Sequence, residues 1–193
     1  MQYFKFQLFI GLLLLVPALV LAHGDGGAMS GWGAGFAHPW HGADHVLAML
    51  AVGLWAAQLG GRAVWALPLT FITLMLAGGV LAWWGLELPY VEVGIVTSVL
   101  VLGLVLVAAL RLPLSLSLGL VALFALFHGH AHGTELPLAV GAFSYSLGFV
   151  GATALLHGLG LGLGLAVQQG TLGVLTRWAG GLITLGGLYL VWA

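Results

Sequence analysis

From His38 to Trp192 the sequence is a succession of apolar runs separated by only a few glycine, proline or charged positions. A helix needs about 20 such residues to cross roughly 30 Å of hydrocarbon. We place six spans at about His38 to Gln58, Ala63 to Trp84, Tyr90 to Leu110, Leu112 to His132, Leu136 to Ala166 and Thr171 to Trp192. Charged residues make up only 5% of the chain and apolar ones 62%, whereas soluble domains carry about a quarter charged residues. The alternating polarity of a lipid-facing barrel is absent, and backbone satisfaction in lipid then leaves helices. The expected fold class is an all-α membrane protein: a single bundle of about six transmembrane helices after a cleavable N-terminal signal peptide.

The leader is "MQYFKFQLFIGLLLLVPALVLA", in which Lys5 precedes an apolar run and Val20 and Ala22 sit at the small-residue positions of a cleavage site. Residues 1–22 are therefore expected to be removed, leaving His23 at the start of a polytopic domain over 23–193. Arg62, Arg111 and Arg177 then fall at one set of span ends, and Asp25, Glu87, Glu92 and Glu135 at the other. The positive-inside rule puts the arginines in the cytoplasm and the mature N-terminus in the periplasm of a bacterial inner membrane.

The absence of any basic run argues against a nucleic-acid partner. No nucleotide-binding loop appears, so no ATP hydrolysis and no ATPase subunit is implied. Without cysteine, a metal would be held by nitrogen and oxygen ligands alone.

Two stretches break the apolar pattern, "HPWHGADH" (38–45) and "FHGHAHGTE" (127–135). The apolar run from Leu112 to Phe127 gives only about 24 Å at the helical rise. Continuing the helix through the histidines restores a full span and puts His128 and His132 inside the outer leaflet. The first span is likewise too short unless it begins near Pro39, a residue suited to a first helical turn. Both clusters then share one depth. On regular helices His41, Asp44 and His45 share a face, His128, His132 and Glu135 form a stripe, and His130 points away unless Gly129 and Gly133 break the helix.

Ionisable residues inside a membrane are costly and by default functional. Histidine with carboxylate is a usual donor set for divalent transition metals, and imidazole suits nickel, cobalt, zinc or copper. Imidazole must be neutral to ligate, so metal uptake is expected to weaken as the external pH falls below about 6.5. His157, Ser144, Ser146 and Thr153 are candidates for an onward route, although hydroxyls in membrane helices commonly serve packing. Leu136 to Gln168, about 50 Å if continuous, must tilt or break near "HGLGLGLG". The glycines from Gly158 read as close-packing positions, and Trp83, Trp84, Trp178 and Trp192 as an aromatic belt.

"HPWHGADHVLAMLAVGLWAAQ" and "FHGHAHGTE" resemble the two signature regions of the HupE/UreJ family of nickel and cobalt permeases. The first fits a histidine, five residues and Asp-His, here His38, Asp44 and His45; the second fits Phe-His-Gly, two residues, His-Gly, one residue and Glu, here His128, His132 and Glu135. The likeness extends to "ATALLHG" around His157. It implies ATP-independent transport of Ni²⁺, in some members Co²⁺, as substrate and not as a prosthetic group. The metal site it implies is His38, Asp44, His45, His128, His132 and Glu135; His23, His41, His130 and His157 are weaker candidates, and the family pattern does not demand histidine at His41 or His130. A competing reading is an intramembrane zinc-dependent hydrolase, because two HxxxH spacings lie near Asp44 and Ser144.

Overall fold

The computed structural model describes residues 31–135, 141–167 and 173–192. The expected signal peptide, His23 and the joints at 136–140 and 168–172 lie outside the described residues. Among those described there are seven α-helices, one 3-10 turn and no strand. They are α1 (Gly31–Ala37), the 3-10 turn His38–Trp40, α2 (Ala43–Leu59), α3 (Ala63–Trp83), α4 (Val91–Val107), α5 (Leu114–Thr134), α6 (Ala142–Val167) and α7 (Val174–Leu190).

Three helices, α3, α5 and α6, are long and apolar enough to cross a membrane. The pair formed by Gly31–Trp40 and α2 passes the same test as one bent span, and α4 is a shorter apolar helix. Trp83, Trp84, Trp178 and Trp192 are all exposed, at or near helix ends.

The first span is not the continuous helix expected from His38. Its two halves meet at 81°. Pro39 sits in the first turn of the 3-10 segment, where its missing N–H costs least. The His41 N–H closes that turn on the His38 carbonyl, and Gly42 is extended at φ −103° and ψ 114° before α2 begins. His41 therefore precedes the helix that carries Asp44 and His45, and does not share their face.

Two other expectations are refined. Helix α5 runs unbroken through His128, His130 and His132 to Thr134, so Gly129 and Gly133 do not kink it. They let α3 approach instead: a Cβ on Gly129 would overlap the Met75 carbonyl, and one on Gly133 would meet Gly79 and Ala82. Helix α6 begins at Ala142 and continues without a break through "HGLGLGLG" for 26 residues. Within that run Gly160 and Gly164, four apart on one face, meet Leu50 and Ala57 of α2, while Gly158 and Gly162 meet nothing within 4 Å.

Trp55 and Gln58 near the end of α2 donate to the Leu110 carbonyl beyond α4, and Arg177 in α7 donates to Val107. These contacts define one end of the bundle. The histidine clusters occupy the other.

Candidate metal site

Three elements deliver the site. The 3-10 turn carries His38, the first turn of α2 carries Asp44 and His45, the last two turns of α5 carry His128 and His132, and Glu135 follows α5. The 81° bend swings α1 across the bundle end onto α6, where a Cβ on Gly35 would overlap the Tyr145 carbonyl. That packing sets His38 over His132.

At the mouth, His38 Nε2 and Glu135 Oε2 are 3.2 Å apart, and Glu135 Oε2 is 3.8 Å from His132 Nδ1. Ligand atoms of these three residues all lie within 4.8 Å of one another, a spacing that one cation could bridge after small rotamer changes. The Glu135 side chain is 56% exposed, whereas His132 is buried. Around them a cavity of about 270 Å³ is lined also by His41, Asp44, His45 and Glu92. Arg62, Arg111 and Arg177 belong to the far end, so carboxylates dominate the potential at the mouth and favour cations.

Inward from the mouth the imidazoles continue in file. The His132 ring centroid is 4.8 Å from that of His38 and 4.2 Å from that of His45, and His45 is 4.7 Å from His128. His128 is fully buried. The Phe71 ring then lies 5.5 Å from His128 and 5.1 Å from His157, itself 1% exposed. Phe149 flanks His132 at 4.1 Å.

Hydrogen bonds fix two of the tautomers. Asp44 Oδ1 accepts from both the backbone N–H and Nδ1–H of His45, each at 2.8 Å, which leaves the His45 Nε2 lone pair unpartnered. Ser98 donates its one proton to the Ile95 carbonyl at 2.6 Å and so accepts from His128 Nε2–H at 2.9 Å. His128 Nδ1 is then a buried acceptor without a partner. Both ring nitrogens of His132 are equally buried and without a hydrogen bond. Buried polar atoms are rarely left so, and a run of them on one path is the chemistry of a site that receives a ligand.

A model of the family described as HupE / UreJ protein matches residues 11–190. Protein HupE of Rhizobium leguminosarum bv. viciae is 43% identical over 145 residues, 75% of each chain. The chain belongs to the HupE/UreJ family. This is a family of nickel- and cobalt-transport proteins, transporters and not enzymes, in which the metal is cargo and not a prosthetic group. No solved structure matches the chain significantly.

All six residues that match the HupE/UreJ signatures, His38, Asp44, His45, His128, His132 and Glu135, meet at this end of the bundle. Of the weaker candidates, His41 lines the mouth and is exposed, and His157 lies deeper, beyond Phe71. His130 faces elsewhere. Its Nε2 is 2.8 Å from the Leu86 carbonyl and 3.2 Å from the Leu88 N–H, in the joint between α3 and α4.

Sequence reasoning missed Ser98, Phe71, Phe149 and Tyr145, the last with its ring 5.8 Å from that of His38. Ser98 and Thr97 are the hydroxyls within α4, which is apolar from Val93 onward apart from them, and this was a usable signal. The aromatics gave none, since apolar rings in a membrane helix are unremarkable until a neighbour is known. Ser144 and Ser146, considered for the onward route, sit on α6; Ser146 lines a second, largely apolar cavity of about 300 Å³ between α3, α5 and α6, which shares His132 with the mouth.

Proposed function

We propose that the protein is a secondary, ATP-independent permease that moves Ni²⁺, and Co²⁺ as a related ion, across a bacterial inner membrane. The observation that carries this reading is the file of imidazoles from the exposed mouth to His128, each step between 4 and 5 Å, with nitrogen atoms left unpartnered on the way. His38, His132 and Glu135 take the ion from water, and His45 and His128 take it inward. Asp44 orients His45 and contributes charge. Neutral imidazole binds a first-row cation tightly enough to strip water, and a succession of incomplete donor sets keeps each step weak enough for release.

In this reading residues 23–193 form the permease domain behind a cleaved signal, with six spans and a periplasmic N-terminus. Helices α4 and α7, at 17 residues each, supply the two spans at the lower limit of length. The mouth with Glu92 and Glu135 then opens to the periplasm, and the arginine end faces the cytoplasm. A zinc hydrolase would hold one ion at a fixed point beside a nucleophile. The donors here instead continue inward past the three-residue cluster at the mouth.

The test is Ni²⁺ uptake into proteoliposomes by the purified wild type and by His45→Ala. Uptake by the wild type and its loss in the variant is the expected result. A wild type that moves no divalent ion, or a variant that moves it equally well, would overturn the reading.

A further inference from the structure

We propose that His157, with Thr153 and Met75, forms a second, interior coordination station for a first-row divalent cation, separated from the mouth file by the Phe71 ring. As a station on a transport path it rests on the function proposed above.

At this place two helix faces lock together one turn apart. Thr153 and His157 are four apart on α6, and Phe71 and Met75 are four apart on α3, so each pair shares a face. The Phe71 ring meets His157 at 5.1 Å, and Thr153 Oγ1 meets Met75 Sδ at 3.8 Å. Thr153, His157, Phe71 and Met75 are all at most 2% exposed. Against α2 the fit is equally close, because a Cβ on Gly53 would overlap the His157 carbonyl.

Neither ring nitrogen of His157 has a hydrogen-bond partner. A buried imidazole with no partner is costly, and an aromatic or aliphatic side chain would fill the same space without that cost. A ligand that uses the lone pair would offset that cost. The donors one helical turn along, a hydroxyl and a thioether, suit a borderline cation and carry no charge, so they would hold it weakly. Phe149, which touches His132, and His157 are eight residues apart on α6, about 12 Å at the helical rise. The station therefore lies well inward of the mouth, and a cation leaving His128 would have to pass or displace the Phe71 ring to reach it.

The experiment compares the full-length wild type with His157→Phe and His157→Cys, by Ni²⁺ uptake into proteoliposomes and by Ni²⁺ binding stoichiometry in detergent. His157→Phe should bind the first Ni²⁺ within about twofold of wild type, lose one weaker bound ion, and transport at least about tenfold more slowly. His157→Cys should regain uptake and raise the ratio of Cd²⁺ to Ni²⁺ transported about tenfold, because thiolate is the softer ligand. A packing role predicts otherwise: a well-folded His157→Phe that transports and binds like wild type, or a Cys variant no better than Phe, overturns the proposal. If the wild type moves no Ni²⁺, the transport reading fails, and stoichiometry alone then decides the station: one ion fewer in His157→Phe upholds it as a metal site, and equal numbers overturn it.

Discussion

His38 and Glu135 stand 97 positions apart in sequence and meet at 3.2 Å, which joins the 3-10 turn before α2 to the end of α5 across the bundle mouth. The contact is partly open to water, with side chains 31% and 56% exposed, so as an ion pair it contributes little to stability. Its consequence is for metal capture. Glu135→Gln keeps the shape and removes the charge, and should weaken the first Ni²⁺ bound by about tenfold, roughly 1.4 kcal/mol, with thermal stability unchanged. Titration of the purified variant with Ni²⁺ checks this; equal affinity would remove Glu135 from the ligand set.

Asp44 holds His45 by two bonds to one oxygen. Partners of this kind set imidazole orientation, and their loss costs about 10- to 100-fold in metal affinity. Asp44→Asn should fall in that range in half-saturation for uptake, and Asp44→Ala should be at least as impaired. Wild-type kinetics in Asp44→Asn would show that the negative charge is not needed, and wild-type kinetics in Asp44→Ala that the side chain neither orients nor binds.

Ser98 keeps the proton of His128 on Nε2 and its lone pair on Nδ1. Ser98→Ala frees the tautomer and leaves Nε2 without a partner. Uptake should drop about tenfold, while Ser98→Thr, which preserves the hydroxyl, should retain most of it. Equal loss in both variants would point to packing of α4 against α5 and not to the hydroxyl.

His130 binds the joint between α3 and α4 and not the file. His130→Ala should leave Ni²⁺ affinity within about twofold of wild type and lower stability by about 1 kcal/mol, the usual worth of one hydrogen bond. A large loss of affinity with unchanged stability would contradict the assignment.

Gly129 lies against the Met75 carbonyl, where a Cβ has no room. Gly129→Ala should destabilise the bundle by about 1–3 kcal/mol as α3 and α5 are forced apart, and lower the yield of folded protein. A variant as stable as wild type would mean that the two helices can separate without strain.

The sequence by itself determined that the chain is helical and apolar enough for a membrane, because helical rise and the cost of unpaired backbone in lipid are local rules that need no knowledge of neighbours. The same arithmetic put His128 and His132 inside a helix and not in a loop, and the likeness to the family signatures named six residues that lie together at one end of the bundle, from the mouth inward to His128. Tertiary structure decided what lies beside each of them. The bend at Gly42 separates His41 from Asp44 and His45 and brings His38 over His132, a result of where α1 packs on α6. His130, two residues from His128 and from His132, is turned to another joint by the helical period, and Ser98 and Phe71 acquire meaning only because α4 and α3 bring them to His128. Spacing along a chain fixes which side chains share a face, whereas the face they meet is set by close contacts between helices, here at glycines such as Gly129 and Gly53, which no single stretch of sequence encodes.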